Sequence, residues 1–209
     1  MANLPSLPSL PSLGGRSLPA PPDPSGLVPS RKRLPALAGQ VAQEAALSAL
    51  LGGNLFGRVA MHPALAGVSD KPERGKVLNR AWRRYGSVNS LALTGLVAGW
   101  ASARTDERGP LWTSRRRRTL VRAKDVTVGA VVITGLASAV GGIGFAQQAP
   151  DGAVPMDTGS EPAAETPPRA ATLKRAVNLL GGLNLAAELS LVAVNGLLAR
   201  STSRGLLAR

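Results

Sequence analysis

The stretch VTVGAVVITGLASAVGGIGFA, residues 126–146, determines how the rest of the chain is interpreted. It contains 21 consecutive residues without a charge, between Asp125 and Gln147. A helix of that length rises about 30 Å, which is close to the thickness of the hydrocarbon core of a bilayer. Apolar side chains fall on every face of such a helix, so it has no polar stripe to turn toward water. The stretch therefore predicts a membrane-spanning helix.

Three further apolar segments predict an all-α fold, a bundle of four transmembrane helices. Pro35 suits the first turn of the first helix, and Pro63 marks its end. The second helix contains Gly95-x-x-x-Gly99, a spacing that lets helix backbones approach closely in lipid. Together the segments define a four-helix membrane domain over residues 35–200, with spans at residues 36–61, 87–103, 125–147 and 173–199.

The segments outside the spans differ in composition. Residues 1–34 are rich in Pro and Ser and repeat Leu-Pro-Ser, which favours a disordered tail over a ligand for a proline-binding domain. Residues 147–172 are rich in Pro, Gly and acidic side chains, which predicts an exposed and mobile loop. Residues 201–209 form a short basic C-terminal tail.

The segment between the first two spans, residues 64–86, carries six basic and two acidic residues. From Glu73 its apolar residues recur at helical spacing, which predicts a short interfacial helix after the first span. Aromatic side chains of such a helix lie at the membrane boundary and its basic side chains meet lipid headgroups. The residues concerned are Trp82, Tyr85, Arg83 and Arg84.

The chain has a formal net charge of +13, and eight of its basic side chains lie in residues 104–124. They include the run Arg115, Arg116, Arg117 and Arg118. Such a run is typical of a cytoplasmic loop under the positive-inside rule. We favour this interpretation over nucleic-acid binding, because one nearby tryptophan is not the interleaved aromatic platform of single-strand binders. Anionic lipid headgroups are the expected partner.

The distribution of basic residues predicts an orientation in the inner membrane. With four spans both termini lie on one side, and that side carries 15 basic residues against nine on the other. The bias places both termini in the cytoplasm. His62 is the only histidine and cysteine is absent, so we expect no metal site, and no cofactor is indicated.

A few polar residues interrupt the predicted spans. Glu188 lies near the middle of the fourth span, where an ionised side chain is costly, and Asn184 lies one turn earlier. Asn54, Arg58 and Glu44 lie on the first span, so antiparallel neighbours would bring Asn54 and Arg58 to Glu188 and Asn184. We expect these groups either to line a pocket or proton path, or to lock the bundle through a buried Glu–Arg pair with amide partners.

The segments GGNLFGRVAMHPAL at 52–65 and LNRAWRRYGSVNSLAL at 78–93 resemble small four-helix membrane proteins of high-GC actinobacteria, most of them uncharacterised. The similarity covers most of residues 36–200. At greater distance, the order of Pro63, Trp82 and Tyr85 resembles the anthrone-oxygenase-like membrane family, whose members are linked to cofactor-free oxidation of polycyclic substrates. The chain departs from that family in its far more basic 104–124 loop. The resemblance therefore implies the four-span architecture rather than an activity.

The sequence favours a small structural or interacting membrane protein, accessory to a larger assembly, over an enzyme. It has no Gly-rich phosphate loop with its lysine, no nucleophile elbow and no metalloprotease motif. Helix packing against a partner, or against a second copy, follows from the small residues of the spans. Two alternatives stay open. One is an oxygenase-like enzyme acting on a hydrophobic compound, and the other is a small permease that uses Glu188 for proton coupling.

Overall fold

The computed structural model describes residues 34–107 and 115–207, and four long helices dominate these ranges. They are α1 (Leu34–Phe56), α2 (Lys71–Glu107), α3 (Arg115–Ala146) and α4 (Pro168–Leu207). The predicted all-helical fold is confirmed for the described part of the chain. The predicted N-terminal tail lies, except for Leu34, outside the described residues, and α4 continues through most of the predicted C-terminal tail.

The four helices form two antiparallel hairpins. Gly39 near the start of α1 lies against Ser102 near the end of α2, whereas Gly53 near the end of α1 lies against Tyr85. The α3–α4 hairpin is built in the same way, with Gly141 against Val177. Contacts within each hairpin are far more extensive than those between the hairpins, which meet along α1–α4 and α2–α3. We call the α1–α4 boundary the seam.

Two of the helices are long and apolar enough to cross a membrane. They are α3 and the Pro168–Ser201 part of α4, with mean hydropathies of 2.0 and 1.6 over their most apolar 18-residue windows. Only 11% and 17% of those windows is buried inside the protein, so most of their apolar surface faces outward. A core helix of a water-soluble protein buries most of such a surface.

The prediction of a separate interfacial helix after the first span is wrong. A single 37-residue helix, Lys71–Glu107, contains both the predicted interfacial segment and the predicted second span. The Asp70 carboxylate caps its start by accepting a hydrogen bond from the Glu73 N–H at 3.0 Å. No proline follows Pro72 within this helix, and the isolated Gly86 costs only about 1 kcal/mol relative to alanine. Nothing in the sequence therefore breaks the helix.

Pro63 does not end the first helical segment at residue 61. A π-helix, Gly57–Met61, follows α1 directly, and short helical turns continue through His62–Ala64 and Leu65–Gly67. In the π-helix the His62 N–H bonds to the Gly57 carbonyl, five residues back. Pro63 has no N–H and its ring clashes with the carbonyl four residues earlier, so the helix widens just before it.

Residues 147–167, which we call the cap, are folded, so the predicted mobile loop is wrong over this range. Val154 and Met156 of the cap are fully buried and pack with Leu78 of α2 and Phe145 of α3. Gly75 of α2 lets the cap approach, because a Cβ there would overlap the Val154 carbonyl. The cap thus has its own small core at the end of the bundle where α1 ends and α2 begins.

Arg74 of α2 fixes the cap to the turns that follow α1. Its guanidinium donates to four backbone carbonyls, with distances between 2.6 and 3.3 Å. Those carbonyls belong to Val68, Met156, Asp157 and Ala66. A single rigid cation therefore satisfies carbonyls from both segments, which the planar fork of arginine allows and lysine does not.

The main apolar core lies where the two hairpins meet, toward the end opposite the cap. Its buried members come from all four helices: Ala46, Leu47, Leu50, Ala92, Leu93, Leu96, Val128, Val131, Ala187 and Leu191. Large apolar side chains also cover the outside of all four helices and the π-helix. Examples are Val41 at 61% exposure, Val59 and Leu91 at 74%, Val126 at 72% and Leu183 at 51%. Apolar surface is therefore present both inside and outside the bundle.

Candidate functional site: a buried polar cluster at the seam

The centre of the candidate site is Glu188, which is fully buried near the middle of α4. The Asn54 amide of α1 donates to both carboxylate oxygens, at 3.2 Å each. The Asn184 amide, one turn earlier on α4, donates to Oε1 at 2.7 Å. Both oxygens therefore have partners, and one of those partners crosses the seam. The structure brings together Asn54, Asn184 and Glu188, as their spacing on antiparallel helices predicts.

Thr134 extends the cluster to α3. Its hydroxyl lies 2.8 Å from the Asn184 Oδ1 and 2.6 Å from the Ala130 carbonyl oxygen, so these two acceptors share its single proton. The amide of Asn184 is therefore held at both ends, because its nitrogen donates to Glu188 and its oxygen meets Thr134. Sequence reasoning missed Thr134, because a threonine in an apolar helix usually bonds its own backbone, as this one also does to Ala130.

Arg58 does not form the predicted pair with Glu188. Its guanidinium instead donates to the Asn178 carbonyl oxygen at 3.1 Å, across the seam and nearer the cap. Gly181 permits this approach, since a Cβ there would lie 3.0 Å from an Arg58 nitrogen. The carboxylate and the guanidinium thus have separate backbone and amide partners. The charge of Arg58 still acts on Glu188, but through space rather than through a hydrogen bond.

A second group of polar contacts joins the seam to the cap. The Asn178 amide donates to the Ser160 carbonyl oxygen at 2.7 Å, and the Ser160 hydroxyl lies 2.9 Å from the His62 Nδ1. Burial, followed by the charges of Lys174 and Arg58, lowers the pKa of His62 from 6.5 to about 4. The ring is therefore neutral at neutral pH. The sequence carried no signal at Ser160 that could have indicated this contact with His62.

Trp82 and Tyr85 pack against α1 and the π-helix, and their predicted place at a membrane boundary stays a prediction. Trp82 meets His62 and Tyr85 edge to face, with ring centroids 6.0 Å apart in both cases. The Tyr85 hydroxyl donates to the Ala49 carbonyl at 2.6 Å. Gly53 makes room, because a Cβ there would overlap the Tyr85 hydroxyl. The aromatic side chains thus fill the contact between α2 and the α1 side of the bundle.

Glu44 lies apart from this cluster. It accepts a hydrogen bond from the Asn195 amide at 2.7 Å, in an exposed contact near the end of the bundle opposite the cap. One residue earlier, Gln43 is fully buried, and neither atom of its side-chain amide has a hydrogen-bond partner. The five candidate residues from the sequence therefore fall at three levels: Asn54, Asn184 and Glu188 in the middle, Arg58 toward the cap, and Glu44 at the far end.

The predicted lipid-facing basic residues are on the surface, at both ends of the bundle. Arg83 and Arg84 are exposed on the cap-side part of α2. At the opposite end, Arg115, Arg116 and Arg118 are exposed and Arg117 is half-buried, within 3.5 Å of the Ser201 hydroxyl. Their contact with lipid headgroups stays a prediction.

The described residues offer little machinery for chemistry. Within residues 34–107 and 115–207, no group of three His, Asp or Glu side chains is arranged to hold a metal ion. A groove of about 310 Å³ opens at the edge of the cap, between Lys71 and Glu165, and not beside Glu188. Lys71 bridges it by pairing with Asp157 at 3.1 Å and with Glu165 at 3.2 Å.

No protein-family profile, no curated protein and no solved structure matches the chain. The resemblance to actinobacterial four-helix membrane proteins and to the anthrone-oxygenase-like family accordingly stays a prediction.

Proposed function

We propose that the chain is a multi-pass inner-membrane protein with four spanning helices, and that it is a structural or interacting subunit of a membrane assembly. The observation that carries the proposal is the distribution of polarity. Glu188, Gln43 and Asn184 are buried, whereas Leu91 and Val126 are more than 70% exposed. Lipid solvates such an exterior at no cost, and burial inside the bundle keeps the polar groups away from it.

The pair α3 and α4, which is long and apolar enough to cross a membrane, supports the proposal of spans for α1 and α2 as well. The polar side of α1 is paired with α4, and the outward side presents Val41 and Phe56, followed by Val59 of the π-helix. Val88 and Leu91 are exposed on α2 in the same way. In a four-span arrangement the cap lies outside the cell, and the Arg115–Arg118 end lies in the cytoplasm with both termini, as the positive-inside rule requires.

An accessory role is favoured over catalysis because the central carboxylate is fully engaged. Both Glu188 oxygens accept hydrogen bonds, and a general acid or base needs an unblocked path to a substrate proton. A proton path is not favoured either, because Leu47, Leu191 and Val131 close the interior beyond the cluster. The cluster therefore holds the two hairpins in register.

Membrane insertion can be tested by fractionation. The full-length chain is expected to sediment with membranes, to resist extraction at alkaline pH and to be released by detergent. A folded, monodisperse product in the supernatant of a detergent-free lysate would overturn the proposal.

Orientation can be tested by cysteine labelling, since the natural chain has no cysteine. Ala164 is exposed in the cap and Thr119 is exposed at the opposite end. A membrane-impermeant maleimide should label Ala164→Cys but not Thr119→Cys in intact cells, and both after permeabilisation. The reverse pattern would place the termini outside. Gly159 is unsuitable for an insertion, because it is buried against His62.

The interacting role predicts a partner on one face of the bundle. A photo-crosslinking amino acid at Val59, Leu91, Ile133 or Leu189 samples the exposed apolar surface of the π-helix and of α2, α3 and α4. We expect a discrete protein crosslink from one of these positions and only lipid adducts from the others. Absence of a protein adduct from all four, together with a hydrophobic small molecule retained on purification, would favour the oxygenase-like alternative.

A further inference from the structure

Lys174 is a buried cation without a protein counter-charge. Only 4% of its surface is exposed, and it forms neither a hydrogen bond nor an ion pair with another described residue. Its ammonium lies 5.6 Å from the centre of the Phe145 ring, a contact with the face of an aromatic side chain. Such contacts recover only part of the cost of removing an ammonium from water.

Two more side-chain nitrogens lack partners among the described residues at the same level of the seam, and the His62 nitrogen is a donor in the tautomer whose Nδ1 accepts from the Ser160 hydroxyl. The Arg58 Nε and the His62 Nε2 are both buried without a hydrogen bond. Arg58 and His62 are one helical turn apart on the α1 side, and Lys174 and Asn178 are one turn apart on α4. A chain of hydrogen bonds from Arg58 to Asn178, from Asn178 to Ser160 and from Ser160 to His62 joins the α1 side to the turn of α4 that bears Lys174.

Hydrogen bonds between protein groups hold this arrangement in place. The Asn178 carbonyl oxygen accepts a hydrogen bond from Arg58, and the Asn178 side-chain amide donates one to the Ser160 carbonyl. The Ser160 hydroxyl in turn contacts His62. Arg58 acts through space on the Glu188 carboxylate, whose oxygens already accept from Asn54 and Asn184. The site is therefore built from fixed donors, and its positive charge exceeds the acceptors available to it.

We infer that Lys174, Arg58 and His62 form a binding site for one phosphate-type oxyanion at the seam beneath the cap. An anion there would pair with the Lys174 ammonium and accept from the unpaired nitrogens of Arg58 and His62. The group can come from a membrane phospholipid or from free phosphate. The lipid source rests on the proposed membrane location, whereas the oxyanion site itself does not.

The surroundings favour the lipid. Val59 follows Arg58 and is 74% exposed, and Leu179 follows Asn178 and is 66% exposed. Acyl chains could lie against these side chains while the headgroup reaches the cations. The hairpins pack against each other sparingly at this boundary, so the seam is the place where a headgroup can enter.

The test uses the full chain purified in a neutral detergent and stripped of lipid. Thermal stability is followed while phosphatidylglycerol, phosphatidylcholine or inorganic phosphate is added. If only phosphatidylglycerol raises the unfolding temperature, the site selects anionic lipid headgroups. If both lipids raise it, the site accepts the phosphate of any phospholipid. If inorganic phosphate raises it, a free oxyanion is sufficient. No rise with any of the three would overturn the site.

Lys174→Met separates a ligand site from a structural role. The substitution removes an unpaired buried charge at similar volume, so the lipid-free protein should be at least as stable as the natural one. Its affinity for the anion should fall about tenfold or more. Arg175→Gln, the matched control, removes the adjacent exposed charge and should change affinity less than about twofold. Equal stabilisation of Lys174→Met and the natural protein by the anion would refute the inference.

A measurement on the natural chain covers the case in which Lys174→Met fails to fold. Native mass spectrometry should then show one retained phospholipid per chain, or one phosphate, which is displaced by a competing oxyanion. A chain that carries no phosphorus after mild purification and gains none on titration would contradict the inference.

Discussion

Breaking the contact between Asn54 and Glu188 tests whether the polar cluster ties the two hairpins together. The contact is one amide nitrogen shared between two carboxylate oxygens, at 3.2 Å each, so it counts as about one hydrogen bond to a charged acceptor. Interhelical hydrogen bonds in membrane proteins contribute about 0.6 kcal/mol on average and up to about 1.7. We expect a coupling of about 1 kcal/mol, which is about fivefold in the unfolding equilibrium constant.

The assay is a double-mutant cycle of Asn54→Ala and Glu188→Gln, with reversible unfolding measured in mixed detergent micelles. Glutamine keeps the shape of the side chain and its carbonyl still accepts from Asn184. It removes the charge and one of the two oxygens that accept from Asn54, so the cycle measures the charge-assisted part of the contact across the seam. The control cycle combines Asn54→Ala with Asn195→Ala. Asn195 contacts Glu44, two helical turns beyond Glu188, so these two substitutions should add within about 0.5 kcal/mol.

A coupling between Asn54 and Glu188 no larger than that of the control cycle would refute the reasoning. The carboxylate would then be buried without joining the hairpins, and the case against a catalytic or proton-carrying Glu188 would lose its main support. A large destabilisation by each single variant would not rescue the reasoning, because each leaves a buried group unpaired whether or not the contact binds the helices.

Three further outcomes follow from the packing. Gly99→Ala should destabilise by about 2 kcal/mol, because its Cβ would overlap the Gly39 carbonyl, whereas Gly95→Ala should change stability by less than about 0.5 kcal/mol in the same unfolding assay. The pKa of His62 is about 4 in the folded state and 6.5 in the unfolded state. The folded protein should therefore lose about 2 kcal/mol of stability, after allowance for solvent screening, as the pH falls from 6.5 to 4. Thermal unfolding of His62→Gln should not show this loss. Arg74→Gln should make the cap sensitive to limited proteolysis at neutral pH, while the unchanged chain resists.

The sequence predicts those parts of the fold that depend on local periodicity. An uncharged run as long as residues 126–146 has few alternatives to a helix, and the structure has a helix there. The neighbourhood of Asn54 and Glu188 was also predictable, because two antiparallel helices of known register bring polar residues at matching heights together. Four spans, by contrast, stay a proposal, because α1 and α2 carry more polar residues than α3 and α4.

The cap shows where composition misleads. Its Pro, Gly and acidic residues predict a loop, and they do prevent a helix, but they do not decide whether the loop packs. The packing of the cap depends on residues that are distant in the sequence. Val154 packs against Gly75, and Met156 packs with Leu78 and Phe145. The partner of Arg58 was missed for a similar reason. Charge complementarity suggests Glu188 as the partner of Arg58, whereas the observed acceptor is the backbone carbonyl of Asn178.

The seam explains why polar groups are needed in an otherwise apolar bundle. In lipid, apolar side chains gain little free energy when they exchange contacts with acyl chains for contacts with each other. The hydrophobic effect therefore does not drive two sparingly packed hairpins to associate. Hydrogen bonds then set the register, since an Asn or Glu without its partner is far more costly in hydrocarbon than in water. Asn54 and Glu188 meet this need in the middle of the seam. Nearer the cap, Lys174 has no hydrogen-bond acceptor among the described residues, and the inferred anion would supply one at that level.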